Sequence, residues 1–297
     1  MSSNQDYICC FGEVLWDLLP TGKLPGGAPM NVATHLQNLG LPAAMISSVG
    51  QDALGQELKD FLISKNCNTA YIQQHATLGT GIVKVTLSEN LDASYDIVQP
   101  IAWDFIDLTN ETTNLVSQAK ALVFGTLVCR NSHSYHTLLQ LLAVSNLKIY
   151  DVNLRSPHYS QAIIESLLQQ ADIVKMNDDE LEIIASWYGI IDKSEETKIQ
   201  ELVQKFSLKT LIVTQGSNGA MLWHEEKIYQ SSGFKVKVVD TIGSGDSFLA
   251  GFLKNYLAGQ SPEYCLKYAC AIGAVVASHQ GANPSISEKD ILQMMNL

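Results

Sequence analysis

The feature that most restricts the fold is a repeated alternation of short apolar runs with stretches of helical periodicity. Residues 8–11 read as a strand, continued by 14–16 after a Gly-Glu break. Residues 28–39 read as a helix, with Val32, Leu36 and Leu39 at helical spacing, Gly40 as its stop and Pro42 beyond. A strand over 43–49 and a helix carrying Leu54, Leu58, Phe61 and Leu62 follow. Further on, strands at 121–125, 147–152, 173–176 and 210–214 alternate with helices at 134–143, 161–168, 179–187 and 198–206. A hairpin over 220–223 and 227–229, a strand at 236–239 and helices at 247–257 and 262–279 close the chain. Strands that feed helices and return to further strands need parallel crossovers. The expected fold is therefore α/β, a doubly wound, mainly parallel sheet flanked by helices.

One stretch breaks that rhythm. Residues 82–87 and 95–98 are rich in β-formers and are separated by Ser88-Glu-Asn-Leu-Asp92, which reads as a small sheet inserted into a βα chain. With no internal repeat and no linker rich in Pro, Gly or Ser, residues 1–297 are read as one domain. Its small β-sheet lid is built from about 80–100, with 12–25 contributing.

Apolar residues make up 46% of the chain and charged residues 16%, enough to bury a core and exclude disorder. The 19 basic residues against 30 acidic ones give a net charge of −11, which opposes a nucleic-acid surface. Any phosphate must be held locally, by backbone amides, helix N-termini or a metal. No apolar run approaches the ~18–20 residues of a membrane span, and the first residues lack the basic and apolar stretches of a leader. The six cysteines form no C-x-x-C pair and read as reduced core residues. The expectation is a cytoplasmic protein acting on small molecules, away from membranes.

The strongest local signal is Val238-Val-Asp-Thr-Ile-Gly-Ser-Gly-Asp-Ser-Phe248. Gly243, Ser244 and Gly245 at a strand-to-helix turn leave N–H groups aimed at one spot, and the helix dipole adds positive potential there. Asp246 reads either as a helix cap or as a base beside an anion hole. A dinucleotide fingerprint is excluded because Phe248 stands where its third glycine belongs. A Walker A loop is excluded because Gly22-Lys23 is followed by Leu24.

Near the start, Gly12-Glu13-x-x-x-Asp17 precedes Pro25-Gly-Gly-Ala-Pro-Met-Asn31. Asp17 falls just past the first strand, where parallel sheets bind ligands. Gly26 and Gly27 permit close backbone approach, and Asn31 offers both a donor and an acceptor. Three more polar groups follow apolar strands: Asn153 and Arg155 in Asp151-Val-Asn-Leu-Arg155, Lys175 and Asn177 in Lys175-Met-Asn-Asp-Asp-Glu180, and Thr214, Gly216 and Gly219 in Thr214–Gly219. Each alone reads as a loop or a cap, and their place at successive strand ends gives them weight. His133 and His136 have metal-pair spacing but no third ligand nearby, and read as a solvated helix face.

Gly26–Asn31 and Asp240–Asp246, in that order at the two ends of the chain, resemble the two signatures of the ribokinase-like sugar kinases, the phosphofructokinase-B family. Gly12-Glu13 with Asp17, and Asp151–Arg155, are most similar to its fructokinase branch. The resemblance implies a ribokinase-like fold with a β lid and ATP-dependent phosphorylation of a sugar hydroxyl, fructose giving fructose 6-phosphate. It implies Asp246 as base, with Gly243, Ser244 and Gly245 as the anion hole. It assigns Asp17, Gly26, Gly27, Asn31, Asn153 and Arg155 to the sugar, and Lys175, Asn177, Thr214, Gly216 and Gly219 to the nucleotide. Glu180 would order Mg²⁺ through water, and Asp240 and Ile242, with the loop after Gly281, would hold a monovalent cation such as K⁺. In some relatives the lid also pairs subunits, which implies a homodimer. Ser244 and Ser247 stand where the family more often has Ala. A kinase of ribose, a keto-deoxy sugar acid or a nucleoside is the alternative, and a non-catalytic sugar or nucleotide sensor is a further one.

Overall fold

The computed structural model describes residues 7–19, 22–87 and 93–296. The chain opens with β1 (Ile8–Phe11), β2 (Leu15–Leu19), β3 (Gly22–Gly26), α1 (Ala28–Asn38), β4 (Ala43–Gly50), α2 (Ala53–Ser64), β5 (Ile72–His75), β6 (Gly81–Leu87) and β7 (Ala93–Ile97). Then come α3 (Asn110–Gln118), β8 (Ala121–Gly125), α4 (Ser132–Val144), β9 (Lys148–Asp151), α5 (Gln161–Gln170), β10 (Ile173–Asn177), α6 (Asp178–Trp187) and α7 (Glu195–Phe206). The last elements are β11 (Thr210–Thr214), β12 (Gly219–His224), β13 (Lys227–Ser232), α8 (Ser244–Leu257), α9 (Pro262–Ala277) and α10 (Glu288–Met294).

Nine of these strands form one sheet in the order β13-β12-β11-β10-β9-β8-β1-β4-β5. It is parallel from β11 through β5, and the β12–β13 hairpin runs antiparallel at one edge. Successive side chains of a strand face opposite ways, and β1 is buried on both faces. Ile8 and Cys10 pack with α1, α2, α8 and α9, whereas Cys9 and Phe11 pack with α3 to α7. That double burial is why β1 reads as an unbroken apolar run, and why β4 opens on four apolar residues, rather than alternating. All six cysteines are buried and unbridged.

The order turns back at β1, because the chain runs outward through β4 and β5 and then returns to β8 on the other side. A crevice opens at the carboxyl ends of the strands at such a reversal. A second sheet of four strands, β3-β2-β6-β7, draws from both sequence regions expected to build the lid. Its root is clamped to the body. Arg130 donates to both carboxylate oxygens of Asp104, at 2.7 and 2.9 Å, and to the Ile97 and Val98 carbonyls at 3.3 and 2.7 Å. Its guanidinium also lies 3.9 Å from the centre of the Trp103 ring. Both charged side chains are buried. Removing one partner of a buried pair leaves the other charge uncompensated, so Arg130→Met is expected to destabilise the fold by about 3–5 kcal/mol. Urea unfolding checks this, and a midpoint equal to the parent's would contradict it.

One expected element is not there. Residues 236–239, read as a strand, form no regular structure, and Val238 and Val239 are 57% and 58% exposed. The Val239 amide donates to the Ala277 carbonyl at the end of α9, so the segment is tethered to a helix and not to a strand. Helix α8 begins at Ser244 and not at 247, which puts Ser244, Gly245 and Asp246 in its first turn.

Candidate active site

The site is built where the parallel strands end. Register pairs Asp151 with both Gly125 and Lys175, and Asn177 with Thr214, so the polar residues that follow four different strands share one edge. Helix α8 points its N-terminus at that edge. Gly243 caps it at φ 77°, and a Cβ there would stand 2.5 Å from the Ala282 carbonyl oxygen. Ser244 N donates to Thr241 O at 3.2 Å. Helix geometry leaves the amides of Gly245 and Asp246 without intrahelical acceptors, and the helix dipole reinforces them.

Asp246 does not cap α8, whose cap residue makes no side-chain hydrogen bond. Its Oδ2 instead accepts a hydrogen bond of 2.8 Å from Asn31 Nδ2, which joins the two sequence signatures directly. Burial and the charge of Asp151 push its carboxyl up to about 6, against the opposing effects of Lys175, the Asn31 bond and Arg155. Lys175 and Asp151 are both buried and paired, with Nζ 2.9 and 3.0 Å from the two carboxylate oxygens. A Cβ on Gly245 would lie 3.1 Å from that ammonium, so Lys175 sits against the α8 turn. Burial works against the lysine's charge, but Asp151, Glu180 and Asp246 outweigh it and hold its pKa above the usual value.

Asp17 is not in a loop beyond β1. It lies in the middle of β2, in the smaller sheet, and Gly26 abuts its carboxylate, since a Cβ there would come within 2.6 Å of Oδ2. Burial raises its pKa to about 6, with Arg155 pulling it back. Gly27, at φ 112°, brings the backbone against the Glu13 carbonyl where no side chain fits. Asn153 adopts φ 40°, the left-handed region that Asn tolerates best after Gly, and Arg155 is exposed at the same edge.

Around the nucleotide candidates, Asn177 Oδ1 accepts from Glu180 N at 2.7 Å and Glu180 Oε2 accepts from Asn177 N at 2.8 Å, a capping box that starts α6. Glu180 Oε1 accepts from Leu154 N at 2.7 Å, tying that helix to the β9 loop. Thr214 Oγ1 donates to Met176 O at 3.4 Å, and Gly216 and Gly219 take φ of 55° and 108° in the turn from β11 into β12. Asp240 accepts from Ile242 N and from Gly281 N, each at 3.0 Å, so it joins the two segments expected around a monovalent cation. His133 pairs with Asp107 at 2.8 Å on an exposed face.

Three groups here were not foreseen as site residues. Glu13 is buried, its Oε1 accepts from Ala28 N at 3.2 Å, and its Oε2 has no hydrogen-bond partner. Burial raises its pKa to about 7, and the nearby Asp246 adds to this. Its place directly after β1 was the available signal. Asp151 was legible as the first residue of a strand-end cluster. Asn283, which donates to Asn31 Oδ1 at 2.7 Å, carried no signal in a single sequence.

A helix N-terminus, a buried lysine and a carboxylate at the carboxyl edge of a doubly wound sheet, with a small sheet beside them, form an arrangement of an α/β protein suited to a small anionic ligand. Residues 5–289 match the family described as pfkB family carbohydrate kinase, and the chain belongs to that family. It is similar to probable fructokinase-7 of Arabidopsis thaliana, 29% identical over 319 residues that cover 98% of this chain and 92% of the relative. Probable fructokinase-6, chloroplastic, of the same plant is 30% identical, with 97% and 82% covered. Among solved structures, fructokinase from Vibrio cholerae O395 in its fructose-, ADP- and calcium-bound form superposes with a TM-score of 0.84 at 23% identity, covering 99% of this chain and 100% of that one. An uncharacterized sugar kinase from Pyrococcus horikoshii superposes at 0.82 with 27% identity and 98% of each chain covered. The ribokinase-like fold and the carbohydrate-kinase class expected from the two signatures both hold.

Proposed function

We propose that this chain transfers the γ-phosphoryl group of ATP to a hydroxyl of fructose, giving fructose 6-phosphate, with Asp246 as the base. The observation that carries this reading is the position of Asp246. Its carboxylate lies in the first turn of α8, beside amides that have no intrahelical acceptor, and is bonded to Asn31 from the other signature. Fructose as the acceptor is supported by the similarity to fructokinases along nearly the whole chain.

Phosphoryl transfer needs alignment and charge neutralisation more than covalent help. In this reading Asp17, Gly26, Gly27, Asn31, Asn153 and Arg155 hold the sugar, and Asp246 accepts the proton of the attacking hydroxyl. The Gly243–Gly245 turn supplies backbone dipoles to the transferring group, with Lys175 adding positive charge beside it. Asn177, Thr214, Gly216 and Gly219 line the nucleotide. The small sheet, read as the lid of a single kinase domain, closes over the sugar and keeps water from competing as the nucleophile.

Among the described residues no three His, Cys, Asp or Glu side chains cluster as a metal site. Magnesium therefore fits as an ion carried by the phosphates, whose charge it neutralises. Each Glu180 carboxylate oxygen keeps a lone pair beyond its backbone bond and can order one of the waters of that ion. Asp240, Ile242 and the loop at Gly281 offer oxygen donors suited to K⁺. The smaller sheet ends in β3 and β7, edges that suit pairing of two copies into a homodimer. Among the described residues no helix is long and apolar enough to cross a membrane, and we read the chain as cytoplasmic.

An ADP-release assay with Mg-ATP across fructose, ribose, a keto-deoxy sugar acid and a nucleoside tests the assignment. Fructose is expected to give the highest kcat/KM. Preference for another acceptor overturns the sugar, and ADP release with no acceptor dependence overturns the kinase reading. Arg155 makes the sugar acid the strongest competitor, because a guanidinium pairs well with a carboxylate.

A further inference from the structure

Asn31 sits between two side chains that decide which way its amide faces. An ionised Asp246 can only accept, so the 2.8 Å contact with Oδ2 requires the Nδ2 end of Asn31. The Oδ1 end then faces the opposite way, where Asn283 donates to it from Nδ2 at 2.7 Å. Turning that end of Asn283 toward Asn31 leaves its own Oδ1 buried with no hydrogen-bond partner. A buried acceptor left alone is destabilising, and the amide is held in this orientation nonetheless.

The segment that carries Asn283 is anchored on several sides. Gly281 N donates to Asp240, and the Ala282 carbonyl accepts a hydrogen bond from His35 Nε2 at 2.8 Å. Ala282 also lies directly against Gly243, the cap of α8. His35 must donate from Nε2 to reach a carbonyl, and burial keeps its pKa down at about 4, so this anchor stays neutral and unchanged near neutral pH. Asn283 is thereby fixed relative to both α1 and α8.

We infer that Asn283 is a positioning residue for phosphoryl transfer: by occupying Asn31 Oδ1 it stops that amide from turning over and keeps a donor aimed at the Asp246 carboxylate. The inference rests on Asp246 being the base. Without Asn283, Asn31 can rotate its oxygen toward Asp246, which repels the ionised carboxylate and favours the protonated one. The other charged groups that face Asp246 are Glu13 after β1, Asp151 at the end of β9, Arg155 beyond it and Lys175 on β10. None of them contacts Asn283 in the bonding described here, so they form a constant background against which the loss of one donor is read.

The test is Asn283→Leu, which keeps the heavy-atom count and the branch point, removes the donor and also removes the orphaned oxygen, so the fold should tolerate it. With sugar and Mg-ATP saturating, the acid limb of kcat against pH is expected to move up by about 0.5–1 unit, the size expected for losing one hydrogen bond to a carboxylate. Turnover on the acid limb then falls ~3–10-fold, while the alkaline plateau and the KM for ATP stay within about threefold of the parent. The Asp246 carboxyl resonance, assigned by its absence in Asp246→Asn and titrated by ¹³C NMR, should shift in the same direction. A limb and a titration that both overlie the parent's would overturn the inference. If Asp246→Asn keeps its turnover while the Asn283→Leu titration still shifts, the coupling stands and the base assignment fails.

Discussion

Asp246→Asn is expected to lower kcat by about 10²–10⁴-fold, the range associated with losing a general base, and to change the affinity for Mg-ATP only a few-fold. The substitution is nearly isosteric, and its Oδ1 can still accept the Asn31 hydrogen bond, so the link between α1 and α8 survives. What disappears is the group able to take the proton of the attacking hydroxyl. A base works best when its pKa lies close to the working pH, and burial together with Asp151 pushes Asp246 up to about 6. The parent enzyme should therefore lose turnover as the pH falls through about 6, because the carboxylate protonates and can no longer accept. In the variant that limb should vanish, leaving a low rate that is nearly flat across it. Steady-state rates at saturating substrates between pH 5 and 9 read both effects. Turnover near the parent's value, or an unchanged acid limb, would remove Asp246 from this role.

How much of this could be seen in the sequence depended on whether one segment or two were needed. The parallel sheet was legible because its strands are buried on both faces, so runs such as Ile8–Phe11 are apolar throughout and the helices between them keep their period. The small sheet was half legible: β6 and β7 carry β-forming runs, but β3 spells Gly-Lys-Leu-Pro-Gly and is a strand only because β2 lies beside it. Residues 236–239 failed in the opposite direction. Their valines look like a strand, yet the Val239 amide is spent on the Ala277 carbonyl at the end of α9, and nothing in local propensity reports that contact. Within the candidate site, Gly26, Gly27, Gly243 and Asp246 were legible through the resemblance of Gly26–Asn31 and Asp240–Asp246 to two family signatures, since a Gly-x-Gly-Asp turn taken alone reads equally well as a capped helix start. Asn283 and the free Glu13 oxygen were not, because their meaning lies in which distant group each one meets.

Gly243→Ala should produce the other large loss, and a second glycine on the same helix separates its causes. Gly243 at the N-terminal end of α8 and Gly259 just past the C-terminal end adopt nearly the same backbone, with φ of 77° and 71°. A side chain in that region costs roughly 1–2 kcal/mol in either place. At Gly259 a new Cβ meets no heavy atom within 4 Å, whereas at Gly243 it lands 2.5 Å from the Ala282 carbonyl oxygen and 2.9 Å from the Ala282 Cβ. Neither backbone nor Cβ can swing aside as the tip of a flexible side chain would, so the cap of α8 or the loop holding Asn283 has to move. Gly259→Ala is then expected to lower stability by about 1 kcal/mol with kcat unchanged. Gly243→Ala is expected to lose stability as well and to lower kcat about 10²–10³-fold, comparable to deleting one donor from an oxyanion hole, because the first-turn amides no longer converge on the phosphoryl group. Thermal melting and steady-state rates on the two variants measure the separate parts. Equal losses of kcat in both would mean that backbone strain alone explains the defect, and equal retention would mean that the turn at residues 243–245 does not hold the transferring group.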